Sequence, residues 1–318
     1  MTPKYTENPI KVLEFHKENF KNELIQMNYS ENTINSYIKE INYFIEYFRE
    51  FQDKMAITDI NRPFIQQSII FREKFSKKGK ISANTKIIYI KALKSFLNYL
   101  TDAYNGVINF GIHFDKIKIQ TEKKEKTYLN EEEIKRLLNY INLKSIKAKS
   151  YVSIRNILLI KILLFTGMRV SELINLKISD IQVSDLDNNV FQIKVFGKGK
   201  KEAICYIDRS KIEDNLEDLK KIRKLCKITT DYLFTSKSNR QITRIEVYSF
   251  VKKLFQKIGI NKTGVHIFRH TLGFHLAQKG VRIEDIQEIL RHSNINTTRI
   301  YVQRKELDKI EGIKKIDF

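Results

Sequence analysis

Val265-His266-Ile267-Phe268-Arg269-His270-Thr271 stands in the last third of this chain, and Thr297-Thr298-Arg299-Ile300-Tyr301 follows it. Far upstream runs Thr166-Gly167-Met168-Arg169-Val170-Ser171-Glu172-Leu173. Gly197-Lys198-Gly199-Lys200 lies between these stretches, and Leu290-Arg291-His292-Ser293 precedes the tyrosine. None of these is specific alone. A single histidine on an apolar helix is more often a core residue than a catalyst. With 15 tyrosines in the chain, Tyr301 alone would be a half-buried packing residue. His266 and His270 have the helical spacing of a zinc pair, but the protease motif needs Glu directly after the first histidine, where Ile267 stands. No metal site is expected, and His270 and His275 read as structural. The GKGK turn lacks the GxxxxGK[ST] frame and joins two strands, so it is not read as a nucleotide loop. Order is what informs. Two arginines, a lysine, two histidines and a terminal tyrosine suggest phosphoryl transfer on a polyanion.

Bulk properties point the same way. A length of 318 residues favours two domains over one. Lys and Arg number 58 against 37 Asp and Glu, a net charge of +21. Such a surplus suits a polyphosphate partner, because each neutralised phosphate releases counterions. A membrane is disfavoured: no segment offers about 18 uninterrupted apolar residues, and no basic helix carries an exposed Trp or Phe face. The N-terminus lacks the apolar stretch of a secretory signal. Cys205 and Cys226, 21 residues apart with no CxxC pairing, read as small core fillers in a reducing cytosol.

From about Phe15 to Ala103 the pattern is helical. Ser30 and Asn32 offer N-caps, and Ile34, Tyr37, Ile38, Ile41, Phe44 and Ile45 recur at three- and four-residue steps. A second stripe, Phe64, Ile65, Ile69, Ile70 and Phe71, follows Pro63, which suits a first helical turn. A third follows Ser82 and Asn84, through Ile87, Ile88, Ile90, Leu93, Phe96, Leu97 and Leu100. An all-helical domain of about four helices over 1–112 is expected. Residues 113–127 are lysine-rich with no sustained apolar period and read as a basic linker. A domain over 128–318 opens with Asn130 and Glu133 as a capping box. Ser153 to Phe165 is nearly all apolar, hence a buried helix. Asn189–Val195 and Glu202–Ile207 read as strands around the Gly197–Lys200 hairpin tip. Helices resume at Thr243, with Glu246 completing another capping box. They continue through Val265 to Lys279, which Gly280 stops, then Ile283 to Leu290, then from about Asn296.

These motifs resemble the tyrosine recombinases, the integrase family, and among them the Xer-like enzymes. The match is Arg169 in Thr-Gly-Met-Arg-x-Ser-Glu-Leu, Lys198 in the Gly-Lys-Gly hairpin, and His266 with Arg269 in His-x-x-Arg-His-Thr. It continues with His292 in Leu-Arg-His-Ser and Tyr301 in Thr-Thr-x-Ile-Tyr. Ser-Glu-Asn-Thr-Ile-Asn-Ser-Tyr at 30–37 and the helix near Ala83 to Tyr99 resemble the family's helical core-binding domain. The family usually has Gly just before the second histidine, where this chain has Arg291; no catalytic group is lost.

The resemblance implies a mainly α fold: a helical core-binding domain plus a mixed, mainly helical catalytic domain with a small antiparallel sheet, forming a C-shaped clamp on duplex DNA. Arg169 and Arg269 would clamp non-bridging oxygens, guanidinium being planar and permanently charged. Glu172 would orient Arg169 from the same helix. Tyr301 would attack phosphorus to give a 3′-phosphotyrosine, with His266 as base because an unassisted phenol has a pKa near 10. Lys198 would protonate the 5′-oxygen, and His292 would hydrogen-bond a phosphate oxygen. No cofactor is needed, since one phosphodiester replaces another through the enzyme ester. The implied partners are a double-stranded recombination site and a homotetramer on two sites, with the tail 302–318 docking on a neighbour. A translocase or second recombinase could join it. Arg240, Thr243 and Arg244 open a helix and are candidates for further DNA contact. Asn32, Thr33, Ser36, Asn84 and Lys86 are others in the first domain. The role implied is Xer-like resolution of chromosome or plasmid dimers. Alternatives are a mobile-element integrase, a type IB topoisomerase, or a non-catalytic DNA-binding regulator, which has no need of Lys198 and Tyr301.

Overall fold

The computed structural model describes residues 4, 6–51, 54–76, 79–107, 109–110, 114, 117–120, 127–197, 202–291 and 298. The chain divides into two compact units, Met1–Lys124 and Glu125–Phe318. In the first, α1 (Pro9–Gln26), α2 (Glu31–Arg49), α3 (Arg62–Lys74) and α4 (Ala83–Ala103) form a helical bundle. Their starts are set by local chemistry. Asn8 accepts from the Ile10 and Lys11 amides, Ser30 from Thr33, Asn61 from Phe64 and Ser82 from Thr85. Pro9 and Pro63 sit in first turns, where a missing N–H costs nothing. Phe20, Phe44, Phe48, Tyr89 and Phe96 fill the centre. Two expected core residues face outward instead: Ile70 and Ile88 are exposed. In α3, Ile69 and Phe71 on either side of Ile70 are buried while Ile70 itself points to solvent.

The second unit packs helices around α6 (Tyr151–Thr166). Ser150 caps it, and Ile157 through Leu164 is buried apart from Lys161. α5 (Glu131–Lys147) begins at the Asn130–Glu133 capping box, with both reciprocal bonds formed. α7 (Val170–Asn175) is followed by a three-stranded antiparallel sheet, β1 (Ile181–Val183), β2 (Val190–Phe196) and β3 (Glu202–Asp208), in that order. Ile193 pairs with Cys205 and Phe196 with Glu202. α8 (Arg209–Leu225), α9 (Arg244–Lys257), α10 (His266–Gln278) and α11 (Ile283–Leu290) complete the described elements. α6 packs against α8, α10 and β3, and α11 packs on α10. Two elements go beyond the sequence reading, β1 and α8, the latter burying Ile212, Leu216 and Leu219. Cys205 is buried as expected, whereas Cys226 is exposed, because it stands at the end of α8 where the buried face has run out. Among the described residues no helix is long and apolar enough to cross a membrane.

Candidate active site

α6 stops at Gly167, which adopts a left-handed conformation (φ 58°). A side chain there would be strained, and its Cβ would lie 2.9 Å from Leu290 Cδ2 and 3.1 Å from Leu272 Cδ2. The turn delivers Arg169 to the N-cap position of α7 in extended conformation. Glu172, in the first turn of that helix, accepts the Arg169 backbone N–H at 2.9 Å and its Nη1 at 2.6 Å. Arg169 Nη2 donates to the Arg291 carbonyl at 2.8 Å. The arginine is tied by backbone and side chain, yet a third of its side chain (34%) stays exposed.

Arg269 comes from the first turn of α10 and is buried. Its Nη1 donates to the Gly167 carbonyl at 3.0 Å and its Nη2 to the Leu290 carbonyl. Both arginines therefore gather on successive carbonyls at the C-terminus of α11, where partial negative charge accumulates. The sequence separations, 122 residues for Arg169–Arg291 and 102 for Arg269–Gly167, make this a tertiary construction. His266 opens α10 with its side chain exposed, on the same helix face as Arg269 one turn on. Thr298, from the Thr-Thr-x-Ile-Tyr stretch, is buried.

Arg291 is the residue that sequence reasoning undervalued. Its Nη2 donates to Glu172 Oε2 at 3.2 Å, so two guanidinium groups share one carboxylate. Burial alone would push the Glu172 carboxyl up. The Arg291 charge, with hydrogen bonds and charge from Arg169, reverses this and holds it below the usual carboxylate range. The same field reaches Cys205 on β3. There burial dominates and pushes the thiol up to about 11, so it stays protonated and unreactive.

The candidates for outer DNA contact are mostly engaged within the protein. Arg240 forks onto Glu246, Nη1 to Oε2 at 3.0 Å and Nη2 to Oε1 at 3.1 Å. Thr243 caps α9 and donates its hydroxyl to the same carboxylate. Arg244 is exposed. In the first unit Lys86 pairs with Glu73 at 2.9 Å, while Asn32 and Asn84 are exposed and Thr33 and Ser36 half-buried. His275 contacts the Leu129 carbonyl at 3.3 Å, in keeping with a structural histidine. Lys198, His292, Tyr301 and the tail 302–318 lie outside the described residues, as does most of the 113–127 stretch.

The phage integrase family matches residues 127–307, and the phage integrase N-terminal SAM-like domain matches residues 18–103. The chain belongs to the phage integrase family. It is a tyrosine recombinase, an enzyme that cuts and rejoins DNA. It is similar to a tyrosine recombinase of Pseudothermotoga lettingae, 32% identical over 94% of this chain and 97% of that protein. It is also similar to tyrosine recombinase XerH of Helicobacter pylori, 31% identical over 84% of this chain and 75% of that one. Among solved structures, the XerH recombinase bound to palindromic difH substrate in a post-cleavage complex superposes with a TM-score of 0.78. That match has 25% identity and covers 97% of each chain. The mainly helical fold with its small sheet is that of a tyrosine recombinase.

Proposed function

We propose that this tyrosine recombinase acts at a specific duplex site in the Xer manner, resolving chromosome or plasmid dimers in the cytoplasm. The supporting observation is the convergence of Arg169 and Arg269 at the end of α11, with Glu172 behind Arg169. Two fixed guanidinium groups side by side suit a phosphodiester whose non-bridging oxygens gain negative charge in the transition state. Because both are pre-tied to carbonyls and a carboxylate, little reorganisation is needed when charge develops.

Tyr301 attacks phosphorus through its phenolic oxygen, forming the 3′-phosphotyrosine bond as the bond to the 5′-oxygen breaks. His266 takes the phenolic proton, and Lys198 gives one to the departing 5′-oxygen. His292 hydrogen-bonds a non-bridging oxygen. Rejoining runs these steps backward from a 5′-hydroxyl of the partner duplex. Residues 113–127 join the two units as a basic linker. Arg240, Thr243, Arg244 and Lys86 contact DNA beyond the scissile phosphate, Arg240 and Lys86 by exchanging a carboxylate partner for phosphate. A homotetramer on two sites, with 302–318 docking on a neighbouring subunit, completes the assembly.

A nicked suicide substrate carrying a candidate site, incubated without ATP or metal, tests this reading. A slow-migrating covalent adduct on a denaturing gel, formed by the wild type and absent with Tyr301→Phe, is expected. Sequence-specific binding with no adduct from the wild type would contradict it.

A further inference from the structure

Arg291 occupies a backbone conformation that suits glycine, yet it carries the longest of cationic side chains. Its φ and ψ are 55° and 49°, left-handed, at the C-cap of α11. Glycine or asparagine is the usual occupant of such a position, because a Cβ is strained there. The side chain does not escape into solvent; it is about a tenth exposed. Nη1 donates to the Ile289 carbonyl at 2.9 Å and Nη2 to Glu172 Oε2 at 3.2 Å. Nε is buried with no acceptor among the described residues. Backbone strain and a buried N–H are thus both tolerated to bring this guanidinium to Glu172.

We infer that Arg291 is a positioning residue for DNA cleavage, acting through Glu172 on Arg169. The three form a closed ring: Arg169 Nη1 to Glu172 Oε1, Arg291 Nη2 to Glu172 Oε2, and Arg169 Nη2 to the Arg291 carbonyl. Arg169 itself engages both oxygens of the carboxylate, Nη1 on Oε1 and its backbone N–H on Oε2. Arg291 Nη2 is a further donor on Oε2 from a segment 119 residues away. The carboxylate is therefore braced against the end of α11 as well as within its own helix turn, and so is the edge of Arg169 that stays exposed. Arg291 also joins Arg169 in favouring the ionised form of Glu172. The groups facing that carboxyl are Arg169 from the α7 N-cap and Arg291 after α11; Arg269 of α10 and Cys205 of β3 share the field. Burial opposes the charge; the Arg291 charge offsets it, together with the hydrogen bonds and charge of Arg169.

This inference rests on the recombinase reading, and the experiment separates the two. Adduct formation on the suicide substrate is followed in single turnover from about pH 5 to 8 for wild type, Arg291→Gly and Arg291→Lys, with melting recorded for each. Glycine suits the backbone, so Arg291→Gly should melt no lower than the wild type. Its cleavage rate should fall by roughly 10–100-fold, the usual effect of removing a supporting partner. Its acid limb should move to higher pH, because Glu172 then protonates sooner. Arg291→Lys should recover the pH limb more fully than the rate, since it restores charge without the fork. An Arg291→Gly protein with wild-type rate and pH profile would overturn the inference and leave Arg291 a helix terminator. No adduct from the wild type itself would overturn the recombinase reading, and this proposal with it.

Discussion

Each unit buries a glutamate against arginine, and the two groupings are built to different ends. In the first, Arg72 forks onto Glu40, Nε to Oε2 at 2.7 Å and Nη2 to Oε1 at 3.2 Å, both side chains under a tenth exposed. The guanidinium also lies 3.7 Å over the Tyr43 ring. One arginine takes both oxygens, so the pair is closed and ties α2 to α3. In the second, Glu172 takes the Arg169 guanidinium on one oxygen and both the Arg169 backbone N–H and the Arg291 guanidinium on the other, and Arg169 keeps an edge toward solvent. A closed fork has nothing left to offer a ligand. A shared carboxylate leaves an oriented guanidinium free to receive one.

The contrast breaks most sharply under deletion. Arg72→Ala leaves Glu40 buried and unpaired, and should cost about 3–5 kcal/mol of stability, read by urea unfolding. Replacing both partners, Arg72→Met with Glu40→Leu, should recover most of that, because no charge is then left stranded. Arg169→Ala should behave oppositely. Glu172 keeps Arg291, so stability falls by only about 1 kcal/mol, while single-turnover cleavage falls about 10²–10³-fold as one transition-state donor is lost.

Gly167→Ala sharpens the account at its hinge. The new methyl must displace Leu290 in a conformation that disfavours any side chain, for a cost of about 1–3 kcal/mol. Because Arg269 rests on the Gly167 carbonyl, cleavage should slow as well, whereas an equivalent strain in the first unit would not touch it. The smallest effect belongs to the exposed Arg240–Glu246 pair. The Arg240 fork, helped by Thr243, holds the Glu246 carboxyl at about 2. That depressed value contributes stability above the ordinary carboxylate range, which is lost as pH falls toward 2. The pair is exposed and screened, so Arg240→Ala should cost under about 1 kcal/mol at neutral pH. The difference in melting temperature from wild type should close as pH drops from 4.5 toward 2.

What was legible in the sequence is what is decided locally. Ser30, Ser82, Asn130 and Thr243 cap their helices because a side-chain oxygen two or three residues from an open N–H needs no tertiary help. The apolar run of α6 could hardly be anything but buried. Helix α8 was harder to see, since Ile212, Leu216 and Leu219 are set among lysines and acids and its starting cap, Asp208, closes a strand. β1 is three residues long, and only its pairing with β2 makes it a strand. In the site, the Arg169–Glu172 pairing was visible because the two stand three residues apart. The role of Arg291 was not: its carboxylate partner lies 119 residues away, and a residue between Leu290 and His292 reads as a loop position. The commitment of Arg240 to Glu246 could have been suspected from their six-residue spacing across a capping box.

The most direct measurement is the single-turnover rate of adduct formation on the suicide substrate. Arg169→Ala is compared with the Arg72→Met, Glu40→Leu double variant at a temperature where both are folded. The double variant should cleave at the wild-type rate, and Arg169→Ala should lose at least roughly a hundredfold with DNA binding retained. An Arg169→Ala enzyme that cleaves at the wild-type rate would contradict this, and would make the open ion pair as purely structural as the closed one.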